Sequence, residues 1–165
     1  MNIKQAVKSQ YGAALAMLEH ATNHCPASMW DDPTDQNRFW RVAYHVLFYT
    51  DLYLQPREED FSPWDKHREG LYSLSRPSGE DGGPELEPYS REEILEYLAF
   101  CRGEVEAEVD ALDLAAESGF HWLPFDKLEL QFYNIRHIQH HTGELYDRLG
   151  SVGKIKVDWV GMVKA

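Results

Sequence analysis

His137 and His141 stand four residues apart in the stretch Asn134-Ile135-Arg136-His137-Ile138-Gln139-His140-His141-Thr142-Gly143-Glu144-Leu145. On a helix this spacing puts both imidazoles on one face, one turn apart. Two ring nitrogens so placed can converge on one cation at about 2.0–2.1 Å each. A helical wheel chooses among the three neighbouring histidines. Leu128, Phe132, Ile135, Ile138, Leu145 and Leu149 form an apolar arc, with His141 at its margin and His137 just beyond on the same side. His140 falls nearly opposite the centre of the arc and is expected to face water. A pair of imidazoles holds an ion weakly, so a third donor must come from elsewhere. His45 is the candidate, set among the apolar residues of Arg41-Val42-Ala43-Tyr44-His45-Val46-Leu47-Phe48-Tyr49. There an imidazole has few polar neighbours to satisfy it. Taken alone, His45 reads first as a core histidine bonded to a backbone carbonyl or a tyrosine. Joined to the pair, it completes a three-nitrogen set.

Three neutral imidazoles leave a divalent ion its full charge and at least one open position, enough to acidify bound water or polarise an anionic oxygen. Zinc, nickel, iron and manganese all accept such ligands. The histidines need company for catalysis. Tyr44, Tyr49 and Tyr53 could line a pocket, and Asn134 and Glu144 could hold the second nitrogen of a ligand ring. Arg136 offers an anion contact or simply reaches to water. Gly143 inside a helix suggests close helix packing. His20, His24, His67 and His121 are expected to be structural or exposed. Competing metal and nucleotide motifs are absent: there is no HExxH, no Glu-x-x-His, no CxxC, no phosphate-binding glycine loop and no GxSxG.

Four helices must position these groups. The first is expected over 2–22, ending before Pro26. The second runs over 35–54, with Thr34 or Asp35 as its cap and an almost wholly apolar middle. The third is expected over 90–116, opened by the capping box Ser90-Arg91-Glu92-Glu93. The fourth runs over 126–149 and stops at Gly150. Its neighbour, the third helix, has an acidic side (Glu104, Glu106, Glu108, Asp110) that reads as solvated. Between the second and third helices lies a long crossover, 55–89, rich in proline and glycine. Trp64, Leu71, Tyr72 and Leu74 are expected to pack down from it, and Gly79-Glu80-Asp81-Gly82-Gly83 reads as an exposed, mobile tip. The tail Val157-Asp158-Trp159-Val160 is expected to pack on the bundle. The fold class is all-α, a single four-helix bundle over 1–165.

Composition narrows the function classes. A formal charge of −12 disfavours nucleic-acid binding, which depends on basic residues neutralising phosphates. No long apolar run spans a membrane, and the first twenty residues lack the apolar block of a secretion signal, so a cytoplasmic location is expected. Cys25 and Cys101 are isolated and expected to be reduced and packed.

Ala43-Tyr44-His45-Val46, the Ser90 capping box and the run from His137 to Leu145 together resemble the DinB/YfiT-like family of metalloenzymes. The resemblance covers most of the chain and implies a four-helix bundle, often a homodimer. It also implies one divalent ion on three histidines, which map onto His45, His137 and His141. The crossover is longer than that of a typical member. Two functional classes follow. One is a metal-dependent hydrolase or a transferase using a low-molecular-weight thiol as cofactor, acting on a small-molecule substrate. The other is a non-catalytic, metal-stabilised binding or stress-response protein. A metal-free bundle with packed histidines is a third.

Overall fold

The structure, a computed structural model, describes residues 2–75 and 87–163. Four long helices and one short one carry the chain: α1 (Ile3–His24), α2 (Ala27–Trp30), α3 (Phe39–Leu54), α4 (Arg91–Ala111) and α5 (Lys127–Ser151). α1 packs on α4 and α5, and α3 packs on the same two, so the long helices close a ring around one core. The fold is all-α. Among the described residues there is no strand, only one isolated bridge between Glu117 and Asp126. No described helix is long and apolar enough to cross a membrane.

Local side-chain chemistry sets the helix ends. Asn2 caps α1 by accepting from the Lys4 amide at 3.1 Å. The capping box forms as expected, with the Glu93 amide on Ser90 Oγ and the Ser90 amide on the Glu93 carboxylate. Asp126 caps α5 by accepting from the Glu129 amide at 2.8 Å. Three expected boundaries move. α3 begins at Phe39 rather than near Thr34 or Asp35, because Asp32 takes the Thr34 amide and hydroxyl into a local turn. Such side-chain bonds compete with the helix ladder. α4 ends at Ala111 rather than 116, because Asp113 captures the Ala115 amide with its carboxylate and the Ala116 amide with its carbonyl. α5 runs through Gly150 to Ser151, and the chain turns only at Gly153, whose amide bonds back to the Arg148 carbonyl. Gly143 packs against nothing; it faces open space.

The arc of α5 is also rotated from its expected place. Lys127, Gln131, Asn134, Ile138, Thr142, Leu145 and Leu149 are buried, whereas Phe132 is 52% exposed. Partners from other helices admit the polar residues: the Tyr11 hydroxyl donates to Gln131, and the Asn134 amide donates to the Thr50 carbonyl. Lys127 donates to the carbonyls of Gln55, Pro56 and Ser118, tying the end of α3 to the α4–α5 loop. Burial pushes its pKa down to about 8.

The crossover packs as expected where it is described. Trp64 and Leu71 are buried, and Tyr72 and Leu74 rest half-buried on the core. The Gly79-to-Gly83 tip lies outside the described residues. The acidic side of α4 is exposed at Glu106 and Asp110 and half-covered at Glu104 and Glu108, and Lys8 of α1 bridges Glu106 and Asp110. Ile155 and Val157 of the tail pack on the core, while Trp159 stays 77% exposed. Both cysteines are free and buried.

Two features can be tested directly. Gly119 has φ +83°, and a Cβ there would collide with the Pro56 carbonyl. Gly119→Ala is therefore expected to cost about 1–3 kcal/mol in urea unfolding. Asp51 is buried against α4, accepts from the Tyr97 hydroxyl at 2.9 Å, and has its pKa pushed up to about 7 by burial. The native state thus holds the proton more tightly than the unfolded chain. The stability this confers is full below the unfolded carboxyl pKa and is lost as pH rises through about 7. Asp51→Asn should escape that loss, so its unfolding midpoint should gain on the parent's between pH 4 and pH 8. Parallel pH curves would contradict this.

Candidate metal centre

Of the sixteen residues of α3, only His45 and Tyr49 are not buried. They lie one turn apart, facing α5 where it presents His137 and His141. The three imidazoles form a near-equilateral cluster, with ring centroids 4.7–4.9 Å apart. His45 Nε2 and His137 Nε2 are 3.0 Å apart. All three rings are partly covered, neither sealed in the core nor fully in water.

Two of the rings are aimed by what holds their other nitrogen. His45 Nδ1 is 2.6 Å from the Tyr72 carbonyl oxygen, which can only accept, so Nδ1 carries the proton and donates it. His141 Nδ1 donates to Glu144 Oε2 at 2.8 Å. Both Nε2 atoms are thereby left with free lone pairs, as in carboxylate–histidine and carbonyl–histidine metal sites. Burial pulls the His45 pKa down to about 4 and the His137 pKa down to about 3, so both rings are neutral near pH 7 and ready to act as ligands. Two bare nitrogen lone pairs repel at 3.0 Å, so a proton or a cation must sit between His45 and His137. Nitrogens held about 2.0–2.1 Å from one ion lie roughly 3 Å apart at right-angled coordination, which matches this spacing. His137 Nδ1 is buried and, among the described residues, has no partner.

The expected neighbours divide. Glu144 and Tyr49 do stand beside the rings, with the Tyr49 ring centroid 4.8 Å from that of His45 and 5.5 Å from that of His137. Tyr44 does not. It is fully buried on another side of α3, stacked on Tyr89, and its hydroxyl shares a 2.6 Å hydrogen bond with His67 Nδ1. Neighbouring helical residues point about 100° apart, so Tyr44 and His45 cannot face one site. Asn134 likewise turns into the core and bonds α3 backbone at Thr50 instead of orienting a ring. His140 is exposed, as expected, 3.5 Å from Glu144. His140, His141 and Glu144 also cluster, but this second group reuses the Glu144 carboxylate that already orients His141. His24 and His121 are exposed, whereas His67 is mostly covered and structural. The role of the Tyr72 carbonyl is invisible in the sequence, since a backbone acceptor leaves no mark in side-chain types.

The family model of the DinB superfamily matches residues 10–145, a span that includes all three histidines. The chain belongs to the DinB superfamily. Comparison with curated proteins and with solved structures finds no match.

If the Glu144 contact aims His141, Glu144→Ala, which removes the acceptor, should weaken zinc binding by roughly 10–100-fold in competition with a chromophoric chelator. An unchanged affinity would show that His141 needs no such acceptor.

Proposed function

We propose that this DinB superfamily chain is a metal-dependent enzyme whose single divalent ion is held by His45, His137 and His141. Its reaction is hydrolysis or the transfer of a group to a low-molecular-weight thiol. The observation that carries the reading is the convergence of three imidazoles at the one opening of α3, two of them locked so that Nε2 faces the common point. DinB-like proteins bind metals in general, which adds support. Zinc, nickel, iron and manganese all suit the nitrogen donors.

Hydrolysis and thiol transfer share one requirement: an O–H or S–H nucleophile whose pKa must fall. A divalent ion on neutral ligands supplies that acidification. The chain supplies the rest. Glu144 and the Tyr72 carbonyl fix the rings, and Tyr49 presents a phenol beside them, with no hydrogen-bond partner among the described residues, able to donate to a developing anion. The partial covering of His45 and His137 limits bulk water at the centre.

The turning away of Tyr44 and Asn134 favours a second reading, a metal-stabilised binding protein without turnover, because it removes two groups that could handle protons. Protein prepared without a histidine tag or chelator decides between them. About one ion per chain by elemental analysis is expected. Hydrolase and thiol-transfer panels should show turnover that chelation abolishes and metal restores, and that His141→Ala eliminates. Stoichiometric metal that raises Tm with silent panels would select the second reading. A native preparation free of metal that also fails to take up zinc would falsify both.

A further inference from the structure

The opening at His45 and Tyr49 continues as a strip of aromatic rings. The Tyr49 ring lies 5.6 Å from Tyr53, which lies 5.7 Å from Tyr133 and 5.2 Å from Phe120. Phe120 leads on to Trp122 at 5.5 Å, and Tyr133 to Phe125 at 5.8 Å. Tyr53 and Phe120 are buried and form a floor. Tyr49, Tyr133 and Phe125 are half-covered, and Trp122 is 42% exposed at the far end. Half-covered ring faces in a row offer area to a flat apolar body at little entropic cost.

Beside the strip stands a cation with no other task. The Arg136 guanidinium lies over Tyr133, 5.5 Å from its centroid, and is exposed. Among the described residues it has no ion pair and no hydrogen bond. Every other described arginine is engaged: Arg38, Arg57, Arg68, Arg102 and Arg148 by acids, Arg41 and Arg91 by backbone carbonyls. In a chain of net charge −12, an arginine left without an acid is available for a ligand. Its planar fork matches a carboxylate. The net negative charge of the chain favours a monoanion over a multiply charged phosphate.

We infer that the three-histidine centre is one end of an elongated site for a planar organic carboxylate. The flat body lies on Tyr49 and Tyr133, and the carboxylate meets Arg136. The assignment of a reactive end rests on the metal reading above; the strip and its cation do not.

Calorimetric titration with 2-naphthoate, naphthalene-2-carboxamide and acetate tests this on zinc-loaded and metal-free protein. Naphthoate should bind at least about tenfold more tightly than acetate, since stacking is available only to the former. Arg136→Gln, a surface change, should weaken naphthoate about tenfold and leave the amide unchanged. Tyr133→Ala should weaken both, and zinc content should be the same in all variants. Acetate binding as tightly as naphthoate, or an unchanged naphthoate-to-amide ratio in Arg136→Gln, would overturn the proposal. If the protein takes up no zinc yet keeps the expected ranking, the metal reading fails and the carboxylate strip stands.

Discussion

The donation from His45 Nδ1 to the Tyr72 carbonyl is the contact on which the candidate centre depends. An imidazole among apolar side chains can satisfy only one nitrogen cheaply, and whichever nitrogen finds an acceptor decides where the other points. Here the acceptor belongs to the crossover, so the ring turns its Nε2 toward α5. Without that carbonyl, His45 would be free to rotate or to protonate elsewhere, and His137 and His141 would face an undirected partner. The crossover in turn is held by aromatic packing, with Tyr72 stacked on Phe48 at 4.6 Å, and by Arg41 donating to the Ser73 carbonyl. A chain of ordinary packing contacts thus ends in the orientation of one lone pair.

Much of the centre is legible in the sequence because its signals are local. The His-x3-His spacing needs only helical periodicity. The isolation of His45 in an apolar helix is enough to ask what its nitrogens bond to. Tyr44 falls in the wrong place for a reason that is also local: it sits about 100° around α3 from His45. Asn134 shares the histidine side of α5, and a partner distant in sequence, the Thr50 carbonyl, turns it into the core. The rotated arc of α5 is not legible. Lys127, Gln131 and Asn134 are buried because Gln55, Tyr11 and Thr50 receive them, and those partners are distant in sequence. A wheel weighted by hydrophobicity assigns such residues to water and brings Phe132 inward in their place. The helix boundaries differ on a smaller scale, where Asp32 and Asp113 draw nearby amides into turns of their own.

The polar seam of α5 also explains why the histidines can sit where they do. A fully apolar interface between α3 and α5 would close over His137 and His141 and leave their nitrogens unsatisfied. Directed bonds at Gln131 and Asn134 fix the register of α5 against its neighbours, so the half-covered histidine edge falls opposite His45 and Tyr49. Lys127 adds to this by gathering three carbonyls at the first turn of the same helix, where α3 ends and the α4–α5 loop folds back.

Because a main-chain oxygen steers His45, position 72 must supply two things at once: a ring for Phe48 and a carbonyl at the right place along the thread. Adding or removing a single residue between Pro56 and Tyr72 would bring a carbonyl of the opposite aim, or none, to the imidazole. Downstream, the thread is moored again where Tyr89 donates to the Lys66 carbonyl and its own carbonyl takes the Trp30 indole. A graft or a deletion upstream of Tyr72 must therefore conserve the number of residues as well as the packing.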